Sequence, residues 1–504
     1  MRCLFGFLCV YTLSFVALTG CGSGNNRHNL WTPDQCLMVP DGTVCVYFDG
    51  LPGVCVAEDC EERCKADADC NDRKDCTADA CNTTNGLCSN EAVAEGTQCS
   101  GGTCQDGECA LAGTVLPCTE QGIRNAIATG GGPYTFACDG TTTVVVEAQI
   151  IIDNDVILDG ESNLTVDGND THRTFSVGIA VKAELRGFTM TRGRASGLGA
   201  YQQKTGGGIN NAGTLTIRNC TVSDSTTDYG GGIHNSGTLT IIDSTVSNNR
   251  AEKNGGGING GGGTVVLVSS TVTDNSASKG GGIFGITINL VDSTVSNNTA
   301  AQGGGMYIVG ADEFKLDPAT AVNSTVSGNA ASTAGGGIYN DIAAQLILTQ
   351  TTVSDNGAPS ASAIFNNGTE PRSQNEASTA PRSHPGPSGP GVITVSRSVI
   401  SGECATQNPA EWHSNGYNIE SPGDTCGFDQ GTDQVDVTEG ELKLGELADN
   451  GGPTMTHALG EDSVAIDQIP EADCEVDTDQ RRLPRPAGTT DPKRCDVGAF
   501  ELQP

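Results

Sequence analysis

Between residues 206 and 356 the apolar positions recur in a fixed phase. Each repeat can be anchored on a valine: Val222, Val246, Val272, Val295, Val326 and Val353. Seven and five positions before each lie Leu215/Ile217, Leu239/Ile241, Val265/Leu267, Ile288/Leu290, Ala319/Ala321 and Leu346/Leu348. A spacing of two puts both members of a pair on one face of a strand, and that face must be the interior. Every repeat opens on a glycine triplet, at Gly206, Gly230, Gly255, Gly280, Gly303 and Gly335. A period of about 24 residues suits a coil of three short strands and three turns, whereas helical repeats usually run above about 30. The pattern predicts an all-β chain folded as a right-handed parallel β-helix over residues 141–403. Coils stacked about 4.8 Å apart, roughly ten of them, make a solenoid on the order of 50 Å long.

The polar positions are equally regular. Three residues after the valine come Ser225, Asn249, Asn275, Asn298, Asn329 and Asn356. Asparagine tolerates left-handed backbone and can hydrogen-bond to an asparagine in the next coil, so an Asn ladder is expected here. One position earlier the column reads Asp224, Asn248, Asp274, Asn297, Gly328, Asp355, and three before the valine it reads Asn219, Asp243, Ser269, Asp292, Asn323, Gln350. Neither column puts carboxylates on adjacent rungs, which a structural ladder requires and a paired-carboxylate site avoids.

The flanks of the repeat read differently. Residues 119–129 predict a short amphipathic helix with Thr119 as N-cap and Ile123, Ala126 and Ile127 on one face, inside a cap at 111–140 that covers the open end of the solenoid. Residues 366–391 carry Pro371, Pro381, Pro385, Pro387 and Pro390 among polar residues and read as an insertion extruded from one turn. A region at 404–504 is expected to cap the other end.

Charge narrows the function classes. The 504 residues hold 61 Asp and Glu against 27 Lys and Arg, a net charge of −34, which argues against nucleic acid or anionic lipid as a partner. Of 22 cysteines, twelve fall in residues 36–110, where apolar residues are too sparse for a core, so disulfides must stabilise that module in an oxidising compartment. Zinc is the lesser reading, because paired histidines are missing there. Calcium could be taken by Asp67, Asp69, Asp72 and Asp75, although no Gly stands at the sixth and no Glu at the twelfth position of an EF-hand loop. No other cofactor is implied. Beyond the module, Cys118 with Cys138, Cys404 with Cys426 and Cys474 with Cys495 are candidate bridges.

Three stretches carry resemblances. Met1-Arg2 and the apolar run to Leu18 form an export signal over residues 1–20. Its end, Leu18-Thr19-Gly20-Cys21, resembles the bacterial lipobox, which implies lipidation of Cys21, a polar tether over 21–35 and attachment to the outer membrane. Removing the two signal-peptide cysteines leaves Cys220 as the odd one, beside Val222 and expected to be buried. The spacing Cys70–Cys76–Cys81, with Gly86-Leu-Cys88 and Gly107-Glu-Cys109, resembles the slime-mould-type extracellular cysteine repeat, which implies a surface or matrix spacer. The run Leu447-Ala-Asp-Asn-Gly-Gly-Pro-Thr-Met-Thr-His457, then Ser463-Val-Ala-Ile-Asp467, Asp479-Gln-Arg-Arg482 and Cys495-Asp-Val-Gly-Ala-Phe-Glu501, closely resembles the choice-of-anchor Q domain that ends many bacterial β-helix surface proteins. The glycine-triplet coil resembles polymorphic outer-membrane-protein repeats.

β-Helices also include polysaccharide lyases and hydrolases, and fold alone does not decide between them. Hydrolysis needs two carboxylates roughly 5–10 Å apart, and lyase chemistry needs a base beside an acidic metal cluster. The stretch 172–194, with His172, Arg173, Arg186, Arg192 and Arg194, is where such a base would be sought. His457, Asp467 and Arg481 could form a catalytic set but read better as a salt-bridged cap. The residues therefore point to a non-catalytic cell-surface lipoprotein for adhesion, display or glycan contact. The alternatives are a lyase or hydrolase of uronate polymers and a released extracellular matrix component.

Overall fold

The computed structural model describes residues 114–504 apart from 196–203, 311–316, 369–388, 408 and 488–491, together with short segments between 44 and 111. The lipobox at Cys21, the aspartates at 67, 69, 72 and 75 and most of the 366–391 insertion lie outside the described residues. The chain divides into two units, Met1–Ala112 and Gly113–Pro504.

The described residues of the first unit form short antiparallel pairings. Val44–Val46, Pro52–Val56 and Asp59–Glu62 form one small sheet, Thr77–Asn82 pairs with Leu87–Ala92, and Gly102–Gln105 pairs with Glu108–Leu111. The register sets Cys55 opposite Cys60, Cys81 opposite Cys88 and Cys104 opposite Cys109.

The second unit is a parallel β-helix. A typical coil has strands Ile209–Asn211, Thr214–Arg218 and Thr221–Ser223, and each pairs in parallel with its counterpart 24 residues on, at Ile233–Asn235, Thr238–Ile242 and Thr245–Ser247. Alternation decides which side chains go in. Leu215, Ile217 and Val222, and all their repeats through Leu346, Leu348 and Val353, are buried in one continuous core. The triplets are glycine for two reasons. Their first members turn with φ of 59 to 66°, a region that β-carbon sterics disfavour. Their second members stack too closely for a side chain: a Cβ on Gly231 would lie 2.4 Å from the Gly256 oxygen.

Two ladders close the corners from inside. The Asn249 amide N–H donates to Asn275 Oδ1 at 2.9 Å, Asn275 to Asn298 Oδ1, Asn298 to Asn329 Oδ1 and Asn329 to Asn356 Oδ1. Each Asn Nδ2 in turn donates to the valine carbonyl of the preceding coil, as Asn298 does to Val272 at 2.9 Å. The left-handed geometry sits one residue earlier than expected. Asp224, Asn248, Asp274, Asn297, Gly328 and Asp355 have φ of 53 to 66°, as do Asn219, Asp243, Ser269, Asp292, Asn323 and Gln350 at 45 to 53°. The acidic columns are thus the left-handed corners, where Asp and Asn are favoured, and the buried Asn column serves as hydrogen-bond cross-struts. A second ladder went unpredicted: Ser244, Ser270, Ser293 and Ser324 each accept the N–H of the residue one coil earlier, as Ser270 does from Ser244 at 3.2 Å.

Stacking begins before residue 141 and continues past 403. Thr114–Pro117 and Gly131–Ala137 already pair in parallel, and the helix α1 (Glu120–Thr129) between them, capped by Thr119, buries Ile123, Ala126 and Ile127. The Cys118–Cys138 disulfide closes this lid. At the far end Cys404–Thr406, Glu411–Ser414 and Ile419–Ser421 form one more coil. Trp412, Phe428 and the Cys404–Cys426 disulfide then cover the core. The 404–504 region is therefore only partly a cap. From Thr454 onwards it runs back along the flank of the solenoid as a strap, because its polar side chains find partners in the outward residues of earlier coils.

Candidate functional site

The strap lies against the wall built from the Thr-Val-Ser strands. With valine inside, the flanking residues of each strand point out, and the register aligns them into columns. One column is threonine for nine coils: Thr143, Thr165, Thr189, Thr221, Thr245, Thr271, Thr294, Thr325 and Thr352. Two residues along each strand stand Thr191, Ser223, Ser247, Thr273, Ser296, Ser327 and Ser354.

The strap covers the last three rungs. Thr294 Oγ1 donates to the Met455 carbonyl at 2.7 Å and accepts from Gln480 Nε2 at 2.8 Å, while Thr325 Oγ1 donates to Gln480 Oε1 at 2.6 Å. Thr352 Oγ1 accepts from the Ala499 N–H at 3.1 Å. Arg482 marks the edge of cover, bonding Asp243 at 2.9 Å and Ser269 Oγ at 2.7 Å.

The strap is held by buried charge. Arg481 pairs with Asp479 at 2.6 Å and stacks 3.6 Å over the Phe500 ring, and Arg485 meets Glu501 at 3.2 Å. Asp496 accepts the backbone N–H groups of Asp467 and Leu502, and Glu501 those of Asp496 and Ala487. Burial pushes Glu501 up to about 7 and raises Asp496. Buried carboxylates with raised pKa values are what general acids use. Here, however, every carboxylate oxygen of Asp496 and Glu501 accepts a backbone N–H or meets Arg485, so the group serves as a knot. Asp479, Arg485, Asp496 and Glu501 carry this knot, yet reading the sequence singled out only Arg481 from it. Part of the signal lay in the runs Asp479-Gln-Arg-Arg482 and Cys495-Asp-Val-Gly-Ala-Phe-Glu501, which set three acids and two arginines close together, whereas Arg485 lies outside them.

His457, Asp467 and Arg481 do not form a salt-bridged set. His457 Nδ1 lies 2.7 Å from the Gly445 carbonyl and its Nε2 lies 2.8 Å from Ser327 Oγ. Asp467 gives its backbone N–H to Asp496, and Arg481 is taken by Asp479. With Nδ1 donating to the carbonyl, Nε2 accepts from the serine. That is the tautomer a Ser–His dyad uses, but Ser327 is 1% exposed and His457 is also buried, so neither reaches a substrate. Desolvation lowers the His457 pKa and keeps the ring neutral. An adjoining cleft of about 190 Å³ is lined by Asp355, Ser354, Ser401, Glu439, Glu446 and Gly445.

Three of the four arginines of 172–194 are engaged in the framework, and Arg194 is exposed. Arg173 is buried, donates to the Gly206 and Thr205 carbonyls at 2.8 and 2.6 Å, and is lowered to about 10 by desolvation. Arg192 forms a bidentate ion pair with Asp167, whose hydrogen bond raises the arginine pKa. Arg186 bonds Glu184 at 2.7 Å. Cys220 is buried and free, its thiol pushed up to about 12 by burial. Disulfides join Cys404 to Cys426 and Cys474 to Cys495. Among the described residues no cluster of His, Cys, Asp and Glu is arranged to hold a metal, and no helix is long and apolar enough to cross a membrane.

No family model, curated protein or solved structure matches the chain.

Proposed function

We propose that the chain is a non-catalytic surface lipoprotein of a bacterial outer membrane, whose β-helix serves adhesion, structural display or glycan contact. The observation that carries this reading is the wall itself. It is long and regular and lined with neutral hydroxyls, while Arg173, Arg186, Arg192, Asp496 and Glu501 are each held by partners within the framework. Small polar repeating faces suit weak contacts summed over many rungs. Lipidation of Cys21 would tether the chain, since stable anchoring takes more than one acyl chain.

Two measurements test it. Incubation of the mature protein with polyuronates and calcium is expected to release no unsaturated products; their appearance, lost on Arg192→Ala, would overturn the non-catalytic reading. Cys21→Ser is expected to move the protein from the membrane to the soluble fraction. Unchanged fractionation would remove the lipid anchor and leave a released matrix component as the better account.

A further inference from the structure

The covered rungs of the threonine wall reveal what its hydroxyls bind. Thr294 meets a peptide carbonyl and a primary amide, Thr325 the same primary amide, and Thr352 a peptide N–H. Every one of these partners is an uncharged amide. The column then continues in unbroken register through Thr271, Thr245, Thr221, Thr189 and Thr165. These five are half-exposed rather than buried. We propose that the open rungs form a docking surface for an uncharged polysaccharide bearing acetamido groups, an inference that rests on the glycan-contact reading above.

Three observations select this occupant. The open rungs are continuous with an interface that already recognises amides, and four of the five keep a neighbouring hydroxyl beside the threonine, at Thr191, Ser223, Ser247 and Thr273, Asp167 standing there beside Thr165. Their repetition at about 4.8 Å matches a ligand that itself repeats. The chain's own strap, by contrast, is irregular: Gln480 bridges two rungs and Arg482 reaches Asp243 and Ser269. Charge supplies the third. Asp224 and Asp274 stand exposed at the corner beside the open rungs, on a chain of net charge −34, so a polyanion would be repelled. A threonine hydroxyl donates and accepts at once, as Thr294 does, and an acetamido group offers one N–H and one carbonyl to meet it.

The test is retention of the purified mature protein on chitin beads, with cellulose beads as the arm lacking acetamido groups and immobilised polylysine as the polypeptide arm. Wild type is expected on chitin in preference to cellulose. The double substitution Thr221→Val with Thr245→Val, which keeps shape and removes the hydroxyls, is expected to weaken retention at least tenfold with an unchanged unfolding midpoint. Thr189→Val with Thr191→Val serves as an independent second pair. Equal retention on chitin and cellulose would overturn the acetamido assignment while leaving glycan contact standing. Retention on chitin untouched by both pairs would overturn the wall as its site. Retention on polylysine alone would replace the polysaccharide by a basic polypeptide, and retention on neither glycan would count against the glycan-contact reading as well.

Discussion

The wall of the solenoid has two halves built from the same words. Residues 221–223 and 245–247 read Thr-Val-Ser, and so do 325–327 and 352–354. In all four the valine is fully buried and the strand pairs in register. Outside, they differ completely. Thr221 and Thr245 are half-exposed, whereas Thr325 and Thr352 are 0% and 2% exposed. The difference comes from residues more than a hundred positions downstream, which fold back over one half only. Interior burial in this protein is a local property of the repeat, and exterior burial is decided at long range.

Removing the strap's anchor should break the contrast most strongly. Arg481→Ala would leave Asp479, itself fully buried, without its ion-pair partner, a loss of roughly 3–5 kcal/mol for a broken buried pair. The expected outcome is a fall in the denaturation midpoint together with new protease cleavage between residues 454 and 485. An unchanged cleavage pattern would mean that the strap holds without its charge knot.

The ladder beneath offers the opposite control, since it runs under both halves. Asn298→Ala would orphan the Asn275 N–H and the Val272 carbonyl, and Asn249→Ala the Ser225 N–H and the Val222 carbonyl. At about 1–3 kcal/mol for each buried unsatisfied group, both should destabilise by similar amounts in urea titration. A large disparity would show that the halves differ inside as well as outside.

Outer-face substitutions should separate the halves more finely. Thr294→Val removes a hydroxyl that makes two hydrogen bonds to the strap and leaves the Met455 carbonyl without it, for about 1–3 kcal/mol. Thr245→Val touches no strap residue and should stay within about 0.5 kcal/mol. Equal effects would erase the distinction on which the wall's two roles depend.

How much of this was legible beforehand follows the same division. Leu215, Ile217 and Val222 announced the interior by their spacing, and Cys118 with Cys138 announced a bridge by flanking one helix. Thr294 could not announce its burial, because its neighbours in sequence are those of Thr271, which stays half-exposed. The left-handed corners were assigned one residue late for a related reason. Asn serves both as a left-handed residue, at Asn248, and as a buried strut, at Asn249, and composition does not separate the two roles. His457 drew notice as a candidate acid–base group, but its partners, Ser327 and Gly445, are set by the path of the strap.

That histidine gives the smallest and most specific test. His457 is neutral in the fold because burial lowers its pKa, against the raising influence of the Gly445 carbonyl and of Asp355, whose carboxylate lies 3.9 Å from Nε2. The unfolded chain takes up this proton near pH 6.5. A depressed folded-state pKa contributes stability that is fully present above the unfolded value and is lost as pH falls through the folded one. Glu501 works the other way. Raised by burial to about 7 from its ordinary value, it favours the fold increasingly as pH drops across that window. The two effects overlap in the wild type, so the informative quantity is a difference. Between about pH 7.5 and about pH 5, wild type should lose more stability in urea than His457→Gln, which cannot titrate, while Glu501 contributes equally to both. If the two lose the same amount, the seal between strap and wall does not depend on a neutral imidazole, and the hydrogen bond to Ser327 is not what distinguishes the covered half.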